Sequence, residues 1–143
     1  DLSRVLSYQE DIRPLADQLM EMGAKVLLIK CGAPGLYYRS AGIGEMAGLC
    51  RARGLVPSEW TGRDAFERSY RQDHVVSATG AGDTSIAAFL SAMLLGHPLE
   101  RCVQLASATG ACCVTTYDAL SGLQPLDVLW ERICGGWEKD GTP

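Results

Sequence analysis

The pattern of hydrophobic and polar residues over the first forty positions predicts a helix followed by two strands. Residues 9–22 carry apolar side chains at helical spacing, and Gly23 ends the helix. Residues 25–32 then contain four consecutive apolar side chains between a helix and a glycine turn, which is typical of a buried strand. A second short strand is predicted at residues 33–40, after a turn. This order of elements predicts an α/β domain.

Residues 41–74 form the least regular segment, because five glycines interrupt any periodic pattern. We predict a long connection or insertion here, with one short helix and partial anchoring by Trp60 and Phe66. Connections of this length are uncommon in compact domains unless they have a role, so this one is expected to cover part of a site.

The second half of the chain predicts three helices. A short β-like segment, residues 74–78, precedes the glycine turn TGAGD. Residues 84–95 are apolar on nearly every side, which predicts a buried helix. A further helix is predicted at residues 99–115, and Pro125 suits the first turn of a last, amphipathic one.

Composition is that of an ordinary globular protein, with 47% hydrophobic and 21% charged residues. The net charge of −4 predicts no general attraction to nucleic acid or to an anionic membrane. No apolar run approaches the roughly 20 residues that span a bilayer, so we expect a soluble protein. The chain begins with Asp1, and we interpret it as a piece of a longer or processed protein.

The six cysteines form no C-x-x-C pair, and two histidines are present to complete a metal site. Cys102, Cys112 and Cys113 fall inside an apolar helical pattern, where free cysteine behaves as a small hydrophobe. We therefore predict buried, reduced thiols and a cytoplasmic location, with a metal or disulfide role as the alternative.

The segment with most chemical content is SATGAGDTSIAAFLSAMLLG, residues 77–96. Gly80 and Gly82 allow a sharp turn and a close approach of the backbone to a ligand. The turn opens directly into a helix, whose first amides are unpaired and carry partial positive charge, so an anion is expected to bind there. Asp83 lies at the mouth of that site. The residues alone leave two roles open, a reactive carboxylate and a plain N-cap.

This segment, T-G-A-G-D-T followed by an apolar helix and L-x-G-x-P-L-E, resembles the C-terminal signature of the ribokinase-like (PfkB) carbohydrate kinases. RCVQLASATGACCVT resembles that family's second C-terminal helix, and KVLLIKCGAPGLYY resembles its strand, glycine turn and strand. The resemblance implies that residues 1–143 are the C-terminal part of a three-layer α/β/α, Rossmann-like fold.

The resemblance also implies phosphoryl transfer from ATP, with Mg²⁺, to a hydroxyl of a small sugar-like substrate. Asp83 would be the base, and the amides of Gly80, Ala81 and Gly82 would form the anion hole. Such chemistry depends mainly on positioning and on stabilising spread negative charge. Lys30 stands where the family usually has threonine, and the alternative is a strand-end lysine in solvent. The implied nucleotide-binding residues are Lys30, Gly32, Gly35, Thr79, Ser107 and Ala111.

Two features depart from the family pattern. Ser77 replaces an acidic residue that helps to hold a potassium ion, which weighs against a monovalent-cation site. Asp118 either compensates for Ser77 or is a turn residue. No magnesium ligand is assigned within the chain, because the magnesium and sugar contacts are expected upstream of Asp1. A homodimer is left open.

Three alternatives compete with a sugar kinase. Residues 42–48, GIGEMAG, read as G-x-G-x-x-A and suggest a dinucleotide-binding oxidoreductase, which a tight strand-to-helix turn at Gly42 would favour. A non-catalytic nucleotide-binding module is the second alternative. The third is a kinase of the same superfamily that acts on a nucleoside or a vitamin precursor.

Overall fold

The structure is a computed structural model that describes residues 11–140. Within that range a small sheet is followed mainly by helices. In chain order the elements are α1 (Arg13–Glu21), β1 (Val26–Lys30), β2 (Gly35–Ser40), α2 (Ile43–Arg53), α3 (Pro57–Trp60), β3 (Asp64–Arg68), α4 (Ala81–Leu94), α5 (Leu99–Cys113) and α6 (Leu126–Cys134).

The three strands form an antiparallel sheet in the order β1-β2-β3, with Lys30 opposite Leu36. Side chains alternate between the two faces of the sheet. Tyr37 and its neighbours pack against α1, whereas Leu36 and Tyr38 join a larger core with residues from α2, α4, α5 and α6. Helices therefore cover both faces of the sheet, which is the three-layer arrangement predicted from the sequence.

The segment 41–74 is more regular than predicted, because it contains α2, α3 and β3. The prediction of a long connection with one short helix is wrong. The helix α2 tolerates Gly48 because that glycine lies on its exposed face, while Met46 and Cys50 are buried one turn apart on the other. Tertiary burial here outweighs low helix propensity. The predicted anchors do pack, Trp60 in the main core and Phe66 against the smaller cluster.

Two further predictions are corrected by the structure. Residues 74–78 form no strand, although the amide of Val76 donates to the carbonyl of Val114 at 2.8 Å. The helix α4 is not buried on every side, since Ile86, Leu90 and Leu94 form an exposed stripe while Ala88 and Ala92 face the core. Among the described residues, no helix is both long and apolar enough to cross a membrane.

All six thiols are free, and Cys50, Cys102, Cys112 and Cys113 are buried, whereas Cys134 is exposed. Burial raises the pKa of Cys102 to about 12, which suppresses the reactive thiolate. We predict that a thiol reagent at pH 8 modifies Cys134 rapidly in the folded protein, and that Cys134→Ala removes this fast phase. Rapid modification of four or more thiols before unfolding would contradict the burial described here.

Candidate active site

A cavity of about 330 Å³ opens between the β1–β2 turn, the start of α4 and the middle of α5. Its size lies within the range of small-molecule sites. Lys30 and Asp140 are the two charged residues among those that line it. The other lining residues are Gly32, Ala33, Gly35, Leu36, Ser69, Tyr70, Gln72, Val75, Ala78, Ala81, Gly82, Ser85, Ser107, Gly110, Ala111 and Val114.

Gly80 makes the turn into α4 in the left-handed conformation, with φ of +78°, and no side chain caps the helix. A Cβ atom at this position would collide with the side chain of Ala119. Both constraints require glycine, so the sequence places the start of α4 close to the segment that follows α5.

The first amides of α4 are largely unpaired. Ala81 donates its amide to the carbonyl of Ala78 at 3.3 Å, and Thr84 donates to Gly80 at 3.0 Å. Within the described residues, the amides of Gly80, Gly82 and Asp83 have no main-chain acceptor. Unpaired amides at the positive end of a helix dipole favour a bound anion. Of the three amides predicted to form the anion hole, that of Ala81 is thus already used within the loop.

Asp83 is the third residue of α4 and is exposed. Its carboxylate forms no hydrogen bond or ion pair within residues 11–140. The N-cap interpretation of Asp83 is therefore wrong, because the cap position is held by Gly80 without any side-chain bond. The hydroxyl of Thr84 does not cap either, since it donates back to the Gly80 carbonyl at 3.0 Å. Asp83 therefore has a carboxylate without a partner among residues 11–140, and it lies beside the unpaired amides of the helix start.

Lys30 ends β1 and reaches the glycine loop. A Cβ atom at Gly82 would collide with the Lys30 ammonium, so the two groups are in contact. The side chain is exposed overall, but its ammonium does not extend into open solvent. Gly32 and Gly35 form the turn that follows, with the amide of Gly35 donating to Gly32 at 3.2 Å.

The helix α5 supplies the opposite wall of the cavity. Ser107 and Ala111 are buried and lie one turn apart on the lining face. The Ser107 hydroxyl donates to the carbonyl of Arg68 at 3.4 Å, which ties this wall to β3. Thr79 does not line the cavity, and its carbonyl accepts a hydrogen bond from the buried Cys113 thiol at 3.5 Å.

Several lining residues were missed by the sequence analysis, among them Gly110 and Tyr70. Gly110 lets α5 approach α4 closely, since a Cβ atom there would lie 2.5 Å from the Ser85 hydroxyl. Its place in a helix of small residues was the available signal. Tyr70 is buried and stacks on Trp137, with ring centroids 4.7 Å apart, and burial raises the pKa of its phenol. No local pattern marks Tyr70, because the contact depends on a distant part of the chain.

Asp118 is a turn residue. One carboxylate oxygen accepts hydrogen bonds from the amides of Leu120 at 2.8 Å and Ser121 at 2.7 Å. Ser77, whose hydroxyl accepts a bond from the Thr79 amide at 3.2 Å, is likewise occupied in its own turn. Because Ala119 lies against Gly80, the Asp118 turn also supports the glycine loop.

Hydrogen bonds lower the pKa of Asp118 from 3.8 to about 2. The ionised carboxylate therefore adds stability that is complete above about pH 4 and is lost as the pH falls through about 2. We predict that Asp118→Ala lowers the melting temperature at pH 7, and that the difference from wild type vanishes below pH 2. Thermal unfolding across pH 1.5–7 measures it, with the exposed Asp73→Ala as control. A constant difference over this range would contradict the role of the ionised turn.

Magnesium ligands are not assembled by the described residues. No group of three or more histidine, cysteine, aspartate or glutamate side chains in residues 11–140 could hold a metal ion. Asp83 is the single carboxylate at the glycine loop, and Mg²⁺ usually takes one or two carboxylates together with substrate phosphates. The described residues therefore do not fit a magnesium site by themselves.

The turn that would favour a dinucleotide site is present, because β2 ends at Ser40 and α2 begins at Ile43, with Gly42 as its N-cap. The surroundings do not match that function. A dinucleotide fingerprint needs a parallel βαβ unit, whereas β2 is antiparallel to both of its neighbours. The Glu45 carboxylate also lies 3.2 Å from a Cβ built at Gly42, where it would repel a phosphate.

Known proteins are similar to this chain over most of its length. The family model described as pfkB family carbohydrate kinase matches residues 2–125. An uncharacterized sugar kinase of Archaeoglobus fulgidus is 28% identical over 116 residues, which cover 81% of this chain and 38% of that protein. The ribokinase of Schizosaccharomyces pombe is 27% identical over 119 residues, 82% of this chain and 31% of that protein.

Among solved structures, an E. coli protein assigned to ribokinase II, in complex with ATP and Mg²⁺, superposes with a TM-score of 0.65 at 25% identity. The match covers 85% of this chain and 33% of that protein. The predicted ribokinase-like α/β fold is thus confirmed. The chain spans between three tenths and two fifths of the length of these relatives.

Proposed function

This chain belongs to the pfkB family of carbohydrate kinases, and we propose that its protein transfers the terminal phosphoryl group of ATP to a hydroxyl of a small sugar-like substrate. The observation that carries the proposal is the free carboxylate of Asp83 beside the unpaired amides of Gly80 and Gly82. In a transfer to an alcohol, a base accepts the proton of the hydroxyl and an anion-binding site stabilises the charge on the phosphoryl group. Both kinds of group lie at the start of α4.

In the proposed reaction, Asp83 accepts the proton of the substrate hydroxyl as its oxygen attacks the terminal phosphorus. The bond from that phosphorus to the bridging oxygen breaks, and ADP leaves with the electron pair. Negative charge spreads over the equatorial phosphoryl oxygens, where the unpaired amides donate hydrogen bonds. The hydroxyl loses its proton late in a loose transition state, so Asp83 takes up the proton as the new bond to phosphorus forms.

The cavity supports a definite direction for the nucleotide. Its phosphates would lie at the glycine loop, next to Lys30 and Gly82, and its base and ribose between the β1–β2 turn and α5. Ser107 and Ala111 would then contact the base or ribose, with Gly32 and Gly35 shaping the near wall. The remaining predicted residue, Thr79, would act through the shape of the loop, since it does not line the cavity.

A non-catalytic nucleotide-binding module is the weaker candidate. Such a module has no use for an exposed carboxylate that lacks a structural partner, whereas a kinase requires one. The described residues also give no reason to favour an oxidoreductase, given the antiparallel surroundings of Gly42.

The proposal is tested by following ADP formation in the intact protein that carries this sequence. We expect ADP to form from ATP only when a suitable sugar is added, with ribose, fructose and a keto-deoxy sugar acid as the first substrates to try. A nucleoside and a vitamin precursor should be included, because the described residues do not select among small alcohols. Sugar-independent ATP hydrolysis, or no turnover with any member of the panel, would contradict a carbohydrate kinase.

A further inference from the structure

Lys30 is the one cationic side chain among the described residues that line the cavity. We propose that its ammonium binds the phosphoryl group that is transferred, so that Lys30 adds a full positive charge to the anion site formed by the amides of α4. This inference rests on the proposed function and deepens it, because it assigns a catalytic contact that a neutral hydroxyl at the same place would not supply.

The direction of the Lys30 side chain follows from the register of β1. Alternate residues of a strand point to the same face, and Val26 and Leu28 pack into the main core with α4 and α5. Leu27 and Ile29 instead pack on the α1 side. Lys30 shares the parity of Val26 and Leu28, so its side chain leaves the strand toward the start of α4. The strand thus directs the side chain toward α4, and the contact with Gly82 locates its ammonium at the glycine loop.

Among residues 11–140, no carboxylate lies within ion-pair distance of the Lys30 ammonium. The ammonium contacts Gly82, and within residues 11–140 it forms no ion pair or hydrogen bond. The nearby amides of Gly82 and Asp83 also present positive partial charge. An anion bound beside the ammonium and these amides would interact favourably with both.

The other charged residue that lines the cavity is Asp140, whose amide donates to the Ser69 carbonyl at 2.9 Å. A phosphate beside the Asp140 carboxylate would be repelled, whereas a phosphate beside the Lys30 ammonium is attracted. Of these two charged residues, Lys30 is therefore the one suited to bind a phosphate.

A lysine at the glycine loop is expected to stabilise the transition state of phosphoryl transfer more than it stabilises the bound nucleotide. Charge on the terminal phosphoryl oxygens changes during transfer, and a fixed cation within contact distance responds to that change. The adenosine part of ATP does not reach the glycine loop in the proposed orientation. Loss of the ammonium is thus expected to affect kcat and the binding of ATP, but not the binding of adenosine.

The test uses the intact protein with Lys30→Met and Lys30→Arg, and Lys25→Met as the matched control. Lys25 precedes β1 and lines a separate cleft near Gly42, so its loss changes the net charge equally. For Lys30→Met we expect kcat to fall about 10- to 100-fold, and ATP affinity by calorimetry to fall several-fold more than ADP affinity. Adenosine affinity should remain that of wild type, Lys30→Arg should recover part of kcat, and Lys25→Met should match wild type in every measurement.

The measurements of ATP binding and of turnover distinguish a failure of the Lys30 assignment from a failure of the proposed kinase function. If Lys30→Met binds ATP as wild type does and keeps its kcat within twofold, the assignment of Lys30 is overturned while the kinase proposal stands. An equal loss of ATP and adenosine affinity would also overturn it, because a displaced cavity wall explains that result. If wild type binds ATP in a Lys30-dependent way but phosphorylates no sugar, the phosphate contact is supported and the proposed function fails.

Discussion

Asp83→Asn is expected to lower kcat for sugar phosphorylation by about 10²- to 10⁴-fold, the usual contribution of a general base. Asparagine keeps the size of the side chain but cannot accept the proton of the substrate hydroxyl. ATP affinity should change little, because the amides of Gly80 and Gly82 and the ammonium of Lys30 are unaltered. Steady-state kinetics together with calorimetric titration of ATP measures both quantities.

The matched control is Asp127→Asn. Asp127 lies in the first turn of α6, as Asp83 does in α4, so both substitutions remove a negative charge from the start of a helix. The loss of that favourable helix-dipole interaction costs about 0.3–1 kcal/mol of stability in either variant. Full activity in Asp127→Asn, with low activity in Asp83→Asn, would separate chemistry from helix stability. Turnover within tenfold of wild type in Asp83→Asn would rule out the base.

Gly80→Ala is expected to destabilise the protein by about 2–5 kcal/mol. The left-handed backbone at Gly80, with φ of +78°, costs a side-chain-bearing residue about 1–2 kcal/mol. The new Cβ would also collide with Ala119, and such overpacking typically adds about 1–3 kcal/mol. Urea unfolding gives the difference from the shift of the midpoint at a constant slope.

Gly96→Ala is the control for this prediction. Gly96 has nearly the same φ, +82°, but a Cβ there would meet no atom within 4 Å. The difference between the two variants therefore isolates the collision with Ala119. The double variant Gly80→Ala, Ala119→Gly should recover part of the lost stability, because one of the two clashing Cβ atoms is removed. Equal losses of unfolding free energy in Gly80→Ala and Gly96→Ala would mean that the glycine loop does not pack tightly against the Asp118 turn.

The parts of the site predicted from the sequence are those that local physics determines. A glycine before an apolar helical segment indicates a backbone turn with positive φ, and Gly80 adopts it. The apolar run of β1 ends at Lys30. Both the glycine loop and the end of the strand could therefore be located in the sequence. The alternation of side chains along β1 directs Lys30 toward α4. The residue that Lys30 contacts there, Gly82, lies far along the chain, and no local pattern in the sequence identifies this contact.

The missed features depend on tertiary contacts. The helix α2 has weak propensity, and the burial of Met46 and Cys50 against the main core determines its conformation. The strand β3 contains few apolar residues, and its conformation depends on its pairing with β2. Tyr70 joins the cavity because it pairs with Lys139 near the other end of the described chain. Non-local pairing of this kind leaves no signature in a short window of residues.

The most direct test of Asp83 as the base is a single-turnover measurement of phosphoryl transfer from γ-labelled ATP to the best sugar of the panel, with enzyme in excess. This experiment reports the chemical step without product release. The account predicts that label appears on the sugar at least about a hundredfold more slowly with Asp83→Asn than with wild type, although both bind ATP. Equal single-turnover rates for the two proteins would contradict it.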